Sequence, residues 1–110
     1  MKKELYDKII SETDDVVPVK MILTYYLLTD KVSEEYCDLT VYGTEIVKEC
    51  FRPNGSSEVE CKILKDLFFR RSEADAFMHK LIRNQVTPMG LKYAVKDHIC
   101  EKINTAVGEG

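Results

Sequence analysis

Three side chains in the C-terminal third, His79, His98 and Cys100, are the ones best suited to chemistry, either as a metal set or as a nucleophile with its base. Their spacing works against both uses. On a helix, residues two apart such as His98 and Cys100 point to different sides, and His79 falls on the polar face of another helical segment. The reading that weighs more is a helix-flank histidine and an ordinary thiol. The four cysteines, Cys37, Cys50, Cys61 and Cys100, are widely spaced with no Cys-x-x-Cys, so reduced, packed thiols are expected rather than a zinc knuckle or a redox dithiol. Carboxylates are numerous, but no pair sits in an apolar setting that would drive two pKa values apart. No catalytic residue, metal or cofactor is expected, and a small enzyme ranks last among the functional readings.

A second kind of chemistry is stacking and phosphate contact. Arg70 and Arg71 follow Phe68-Phe69, and Lys80 and Arg83 lie on the polar face of the helical segment that comes next, a combination that single-stranded nucleic acid could use. Asp66, Glu73 and Asp75 lie close by and cancel much of that field, and the whole chain carries a net charge of -3. Nucleic acid is therefore the alternative reading, through Arg70, Arg71, Lys80 and Arg83, and solvated charges flanking a core strand are the ordinary one.

The elements that would position these groups are more legible. Residues 72–103 read as two amphipathic helices hinged at Val86-Thr87-Pro88. In the first, Ser72 is the expected cap, and Ala74, Phe77, Met78, Leu81 and Ile82 form one face. In the second, Thr87 is the cap and Pro88 occupies the first turn, with Leu91, Ala94, Val95 and Ile99 along one stripe and Ile103 drifting off its end. Met89, Tyr93 and Cys100 lie on the back of this helix, which makes it apolar on two sides.

Residues 3–11 place Leu5, Tyr6, Ile9 and Ile10 at helical spacing and predict a short N-terminal helix, followed by an acidic linker to Asp15. Residues 19–29 predict a strand apolar on both faces, with Met21, Leu23, Tyr25 and Leu27 one way and Ile22, Tyr26 and Leu28 the other, hence central or covered on both sides. After a polar turn, a second strand spans residues 36–51, with Gly43 marking a bulge or bend. Pro53-Asn54-Gly55-Ser56-Ser57 is the strongest hairpin signal. A third strand follows over 58–67, with Val59, Cys61 and Ile63 on one side. A four-residue loop at 54–57 would put Cys50 directly opposite Cys61.

These segments resemble a group of short bacterial proteins, mainly clostridial, classed as a domain of unknown function. The likeness is carried by Tyr25-Tyr26-Leu27-Leu28, by Tyr42-Gly43 with Ile46, by Ile63-Leu64-x-Asp66 and by Thr87-Pro88-x-x-Leu91-x-x-x-Val95-x-Asp97. It spans the last three quarters of the chain and leaves the N-terminal segment outside. It implies a bacterial cytosolic origin and no particular activity.

The expectation is a single α+β domain over residues 1–110. A three-stranded antiparallel meander (16–69) carries the C-terminal helix pair (72–103) on one face, with the N-terminal helix and linker (1–15) extra and a frayed tail from 104. The expected core is Met21, Leu23, Tyr25, Leu27, Ile63, Phe77, Leu81, Leu91, Val95 and Ile99. No stretch approaches the ~20 apolar residues of a membrane span and no secretion signal opens the chain, so the expected setting is the cytoplasm. The expected function is non-catalytic: a protein-interaction or regulatory module, contacting a protein partner or a second copy of itself. The candidate contact residues are Ile22, Tyr26 and Leu28 on the sheet and Met89 and Tyr93 on the helix, because one spare helix could cover only one of these two faces.

Overall fold

A computed structural model describes residues 1–12, 19–33 and 35–108, with side chains through Glu101. The expected linker beyond Glu12, Pro18 at the start of the strand and the side chain of Ile103 lie outside the described residues. The fold is α+β, with four strands rather than three: β1 (Lys2–Glu12), β2 (Lys20–Ser33), β3 (Asp38–Phe51) and β4 (Ser57–Phe68). They form an antiparallel meander in the order β1-β2-β3-β4, which makes β2 an interior strand as its two apolar faces require. Two helices follow, α1 (Arg71–Arg83) and α2 (Leu91–Gly108), joined by a 3-10 turn at Pro88–Gly90.

The N-terminal segment is a strand, not a helix, and a bulge explains why its spacing misleads. Leu5 pairs with Tyr26 and Asp7 with Tyr25, so Tyr6 is an extra residue opposite the β2 ladder. The inserted residue changes the side-chain phase. Tyr6 and Ile9 face the helices while Leu5 and Ile10 face away, which reproduces in sequence the spacing of an amphipathic helix.

A second irregularity lies between β3 and β4, where Tyr42 pairs with Phe68 but Thr44 pairs with Leu64. Asp66 in this bulge has φ of 58°. Gly43 faces it, and a Cβ there would lie 2.4 Å from the Leu64 carbonyl oxygen, so the expected bulge at this glycine has a steric cause. The β3–β4 loop contains Gly55 at φ 87°, as the Asn-Gly signal predicts. Its closing pair is Phe51 with Ser57, however, which makes the loop residues 52–56. The resulting odd shift places Cys50 opposite Glu58 and Cys61 opposite Val47, on opposite faces of the sheet, and overturns the expected Cys50–Cys61 pairing.

Both helices lie on one face of the sheet. The core they close contains Leu23, Tyr25 and Leu27 from β2, Ile46 from β3, Phe68 from β4, Ala74, Phe77, Met78 and Leu81 from α1, and Leu91 from α2. Met21 and Val95 are half-buried against it, whereas Ile63 and Ile99 are exposed and do not belong to it. The odd shift in β4 turns Ile63 to the other face; on α2 it is His98 that turns in against Phe68, and its neighbour Ile99, about 100° further round the helix, is left in solvent.

Neither helix start carries the expected side-chain cap. Arg70, not Ser72, is the residue before α1, and neither Arg70 nor Thr87 caps through its side chain. The end of α1 is better fastened: Gln85 adopts φ 49°, its amide donates to Ile82 and the Val86 amide donates to Leu81. That is a left-handed C-terminal closure with the two reverse bonds of a Schellman motif. The Val86 carbonyl then accepts a 2.9 Å bond from the Tyr25 hydroxyl, which ties the hinge to the sheet.

Candidate functional site

Alternate residues of the strands point away from the helices, and no described element lies over them. Backbone register arranges this open face in rows across all four strands. Ile10, Ile22, Glu49 and Val59 form one row, and Leu5, Tyr26, Glu45 and Ile63 form another two residues along β2 and β3 from the Lys8, Thr24, Val47, Cys61 row between them. The apolar side chains of the edge strands are well exposed: Ile10 58%, Leu5 60%, Val59 65% and Ile63 43%. Ile22, Tyr26 and Val47 on the inner strands are half-buried between them.

The charge on this face is organised around Glu45. Its carboxylate accepts from Lys3 Nζ at 3.0 Å, and the Cys61 thiol lies 3.4 Å from its other oxygen. The Lys3 ammonium also stands 4.1 Å from the centre of the Tyr26 ring. The bond to Glu45 raises the Lys3 pKa, and burial together with the same carboxylate pushes the Cys61 thiol up. Cys61 is thus held as a thiol rather than activated as a thiolate. Glu45 is thereby neutralised within the chain, and the face offers outward its exposed aliphatic side chains with Lys8 and Glu49 among them.

The expected contact residues divide between two places. Ile22, Tyr26 and Leu28 all lie on the open sheet face, but Leu28 is 2% exposed and offers no surface. Met89 and Tyr93 are exposed on the helix layer, on the other side of the molecule. The fold does not bring the two sets together. It also removes the spare cover, because β1 is an edge strand and lies over neither face. Leu5, Ile10, Val59 and Ile63 are the contact candidates that periodicity missed; a strand reading of residues 2–12 would have exposed the first two.

The basic residues of the alternative reading are placed among acids. Arg71 pairs with Glu4 at 3.2 Å and Asp75 at 3.1 Å, and Lys80 pairs with Glu101. Arg70 and Arg83 are exposed, as is Phe69. His98, expected on a helix flank, is instead buried: its ring lies 5.6 Å from Phe68 and 5.2 Å from Phe77, with Nδ1 3.3 Å from Lys80 Nζ. His79 is exposed and leans on the Tyr6 ring at 5.8 Å, and Cys100 is exposed. Among the described residues no three His, Cys, Asp or Glu side chains gather into a metal-ligand set. No helix among them is long and apolar enough to cross a membrane.

A family model described as "Family of unknown function (DUF6514)" matches residues 1–101. The chain belongs to this family. The match takes in β1, which the resemblance of the sequence motifs had left outside, so the N-terminal strand is part of what the DUF6514 domain is. No curated protein and no solved structure matches the chain.

Proposed function

We propose that the protein is a non-catalytic interaction module whose open sheet face binds a second copy of the same chain. One observation carries this reading. The two exposed aliphatic side chains of β1, Ile10 and Leu5, lie in the same two rows as the two exposed aliphatic side chains of β4, Val59 and Ile63. A two-fold axis parallel to the strands and midway between β2 and β3 lays β1 of one chain over β4 of the other. Ile10 then meets the partner's Val59, and Leu5 meets the partner's Ile63, twice each in one dimer. Lys8 comes diagonally above the partner's Glu49, while Glu45 keeps its own Lys3.

The size of the face also suits a stable contact. Four strands at ~4.8 Å spacing and about nine residues at ~3.4 Å give roughly 600 Å² in plane, close to the ~800 Å² of accessible surface per partner in a standard interface. Two such sheets pack as an aligned sandwich with a shared aliphatic layer. Thiols that are free at all four cysteines, three of them exposed, suit the reducing cytoplasm to which this reading assigns the protein.

The test is complementation in solution. Light scattering across a concentration series should show a dimer for the native chain and a monomer for Leu5→Asp and for Ile63→Lys, each with an unchanged fold by circular dichroism. Mixing the two variants should restore a dimer, because one contact becomes an ion pair and its symmetry mate stays native. A native chain that stays monomeric at millimolar concentration removes the proposal, and a dimer broken by Met89→Lys or Tyr93→Glu instead would move the contact to the helix layer.

A further inference from the structure

The helices α1 and α2 do not lie flush, and between them is a cleft of about 450 Å³. That volume falls within the ~300–1,000 Å³ range of small-molecule sites. Its floor is apolar, made by Phe77 and Leu81 of α1, Val86 of the hinge and Ala94 of α2. One wall is polar. Tyr93, Asp97 and Glu101 succeed one another at four-residue intervals along α2 and so share a side of that helix.

The two carboxylates on this wall are not equivalent. Glu101 is bonded to Lys80, which holds its carboxyl below the usual range, and the same ammonium reaches His98 Nδ1 at 3.3 Å. The imidazole accepts there only in its neutral form. Asp97 has no ion pair among the described residues. With Lys80 as +1 and Asp97 and Glu101 as -2, the lining sums to -1. The cleft therefore has an apolar floor, a paired cation, and one carboxylate still available beside an aromatic ring.

We infer that this cleft binds a small organic ammonium compound, its alkyl or aryl body on the Phe77, Leu81 and Ala94 floor and its charge against Asp97. The Lys92 ammonium already stands 5.7 Å from the centre of the Tyr93 ring, so the preference for a cation rests on Asp97. An anion of the same shape would face both carboxylates, and the lysine that could receive it is engaged by Glu101. A neutral analogue would fill the floor and leave Asp97 without a partner.

The experiment is an NMR titration of the full-length, isotope-labelled chain with three probes of one shape: phenethylamine, phenethyl alcohol and hydrocinnamate. Phenethylamine should shift the amides around Phe77, Leu81 and Tyr93 and bind about fivefold more tightly than the other two, the upper end for an exposed ion pair. Asp97→Asn, at an exposed position, should erase that advantage while leaving the alcohol's weak binding as it was. Ala94→Leu, which fills the floor, should abolish the cleft shifts for all three. Hydrocinnamate binding as tightly as phenethylamine, no cleft shifts at saturating amine, or an Asp97→Asn chain that retains the amine preference would each overturn the inference. None of these outcomes depends on whether the sheet faces pair.

Discussion

The two faces of the sheet are built from alternate residues of the same strands, yet they have different fates. On the helix side Leu23, Tyr25, Leu27 and Ile46 are sealed; on the other side Ile22, Tyr26 and Val47 are half-buried, and the flanking Leu5, Ile10, Val59 and Ile63 are open. Both sets are apolar, so hydrophobicity alone does not decide burial. The number of covering elements does: both described helices lie on one side, and the described residues extend only 17 Å in the thinnest direction, a sheet and one helix layer. A sheet face left apolar without a second layer is the kind of surface that protein contacts use.

A matched pair of leucines separates the two faces most strongly. Leu27→Ala on the covered face removes a side chain that is 1% exposed and should cost ~2–5 kcal/mol, the transfer loss plus the cavity left behind. Leu5→Ala on the open face should change the stability of the isolated monomer by less than about 0.5 kcal/mol. Urea unfolding at low protein concentration reads both. If the two losses are similar, something already covers Leu5 and the contrast between the faces is gone.

A smaller effect is expected where the covered face meets the hinge. Tyr25→Phe deletes the hydroxyl that donates to the Val86 carbonyl, and should cost about 1–2 kcal/mol because a half-buried acceptor loses its donor. The same residue gives a pH signature. Burial, with Asp7 nearby, pushes the Tyr25 phenol up to about 12. The unfolded chain loses this proton near the ordinary value of ~10 while the native chain still holds it, so stability present below that pH falls as pH rises toward 12. Denaturation midpoints measured from neutral pH upward should decline in the native chain, and Tyr25→Phe should flatten that decline. An alkaline slope unchanged by the substitution would mean that the phenol is not sealed in.

Much of the covered side was legible from periodicity, and most of the open side was not. The heptad-like face of α1, the Asn-Gly hairpin and the steric role of Gly43 each have a local cause that the residues themselves carry. The open side depends on two insertions relative to ideal pairing. The extra Tyr6 makes β1 resemble a helix, and a loop of residues 52–56 in place of 54–57 reverses the facing of Ile63 and Cys61. Periodicity measures spacing along one strand, whereas a bulge or a loop length is defined only against its partner. The burial of His98 was hidden for a similar reason, since it depends on Phe68 reaching α2 from another element.

The finest contrast lies in how the helices of the covered face begin. A threonine before a proline-led turn is a strong cap signal, and removing such a cap ordinarily costs about 1 kcal/mol. Here Thr87 makes no side-chain cap bond; its backbone carbonyl instead accepts from the Gly90 amide at 3.0 Å, and the turn is fixed by the buried Pro88 and Leu91 beside it. Thr87→Ala keeps that carbonyl and the packing, so its cost should stay below about 0.5 kcal/mol. Thermal melting of Thr87→Ala beside Leu91→Ala measures the difference, with the leucine cavity expected at ~2–5 kcal/mol. A loss near 1 kcal/mol for the threonine would show that its hydroxyl caps the turn in solution. Helix placement on this face would then rest on local hydrogen bonding as well as on burial.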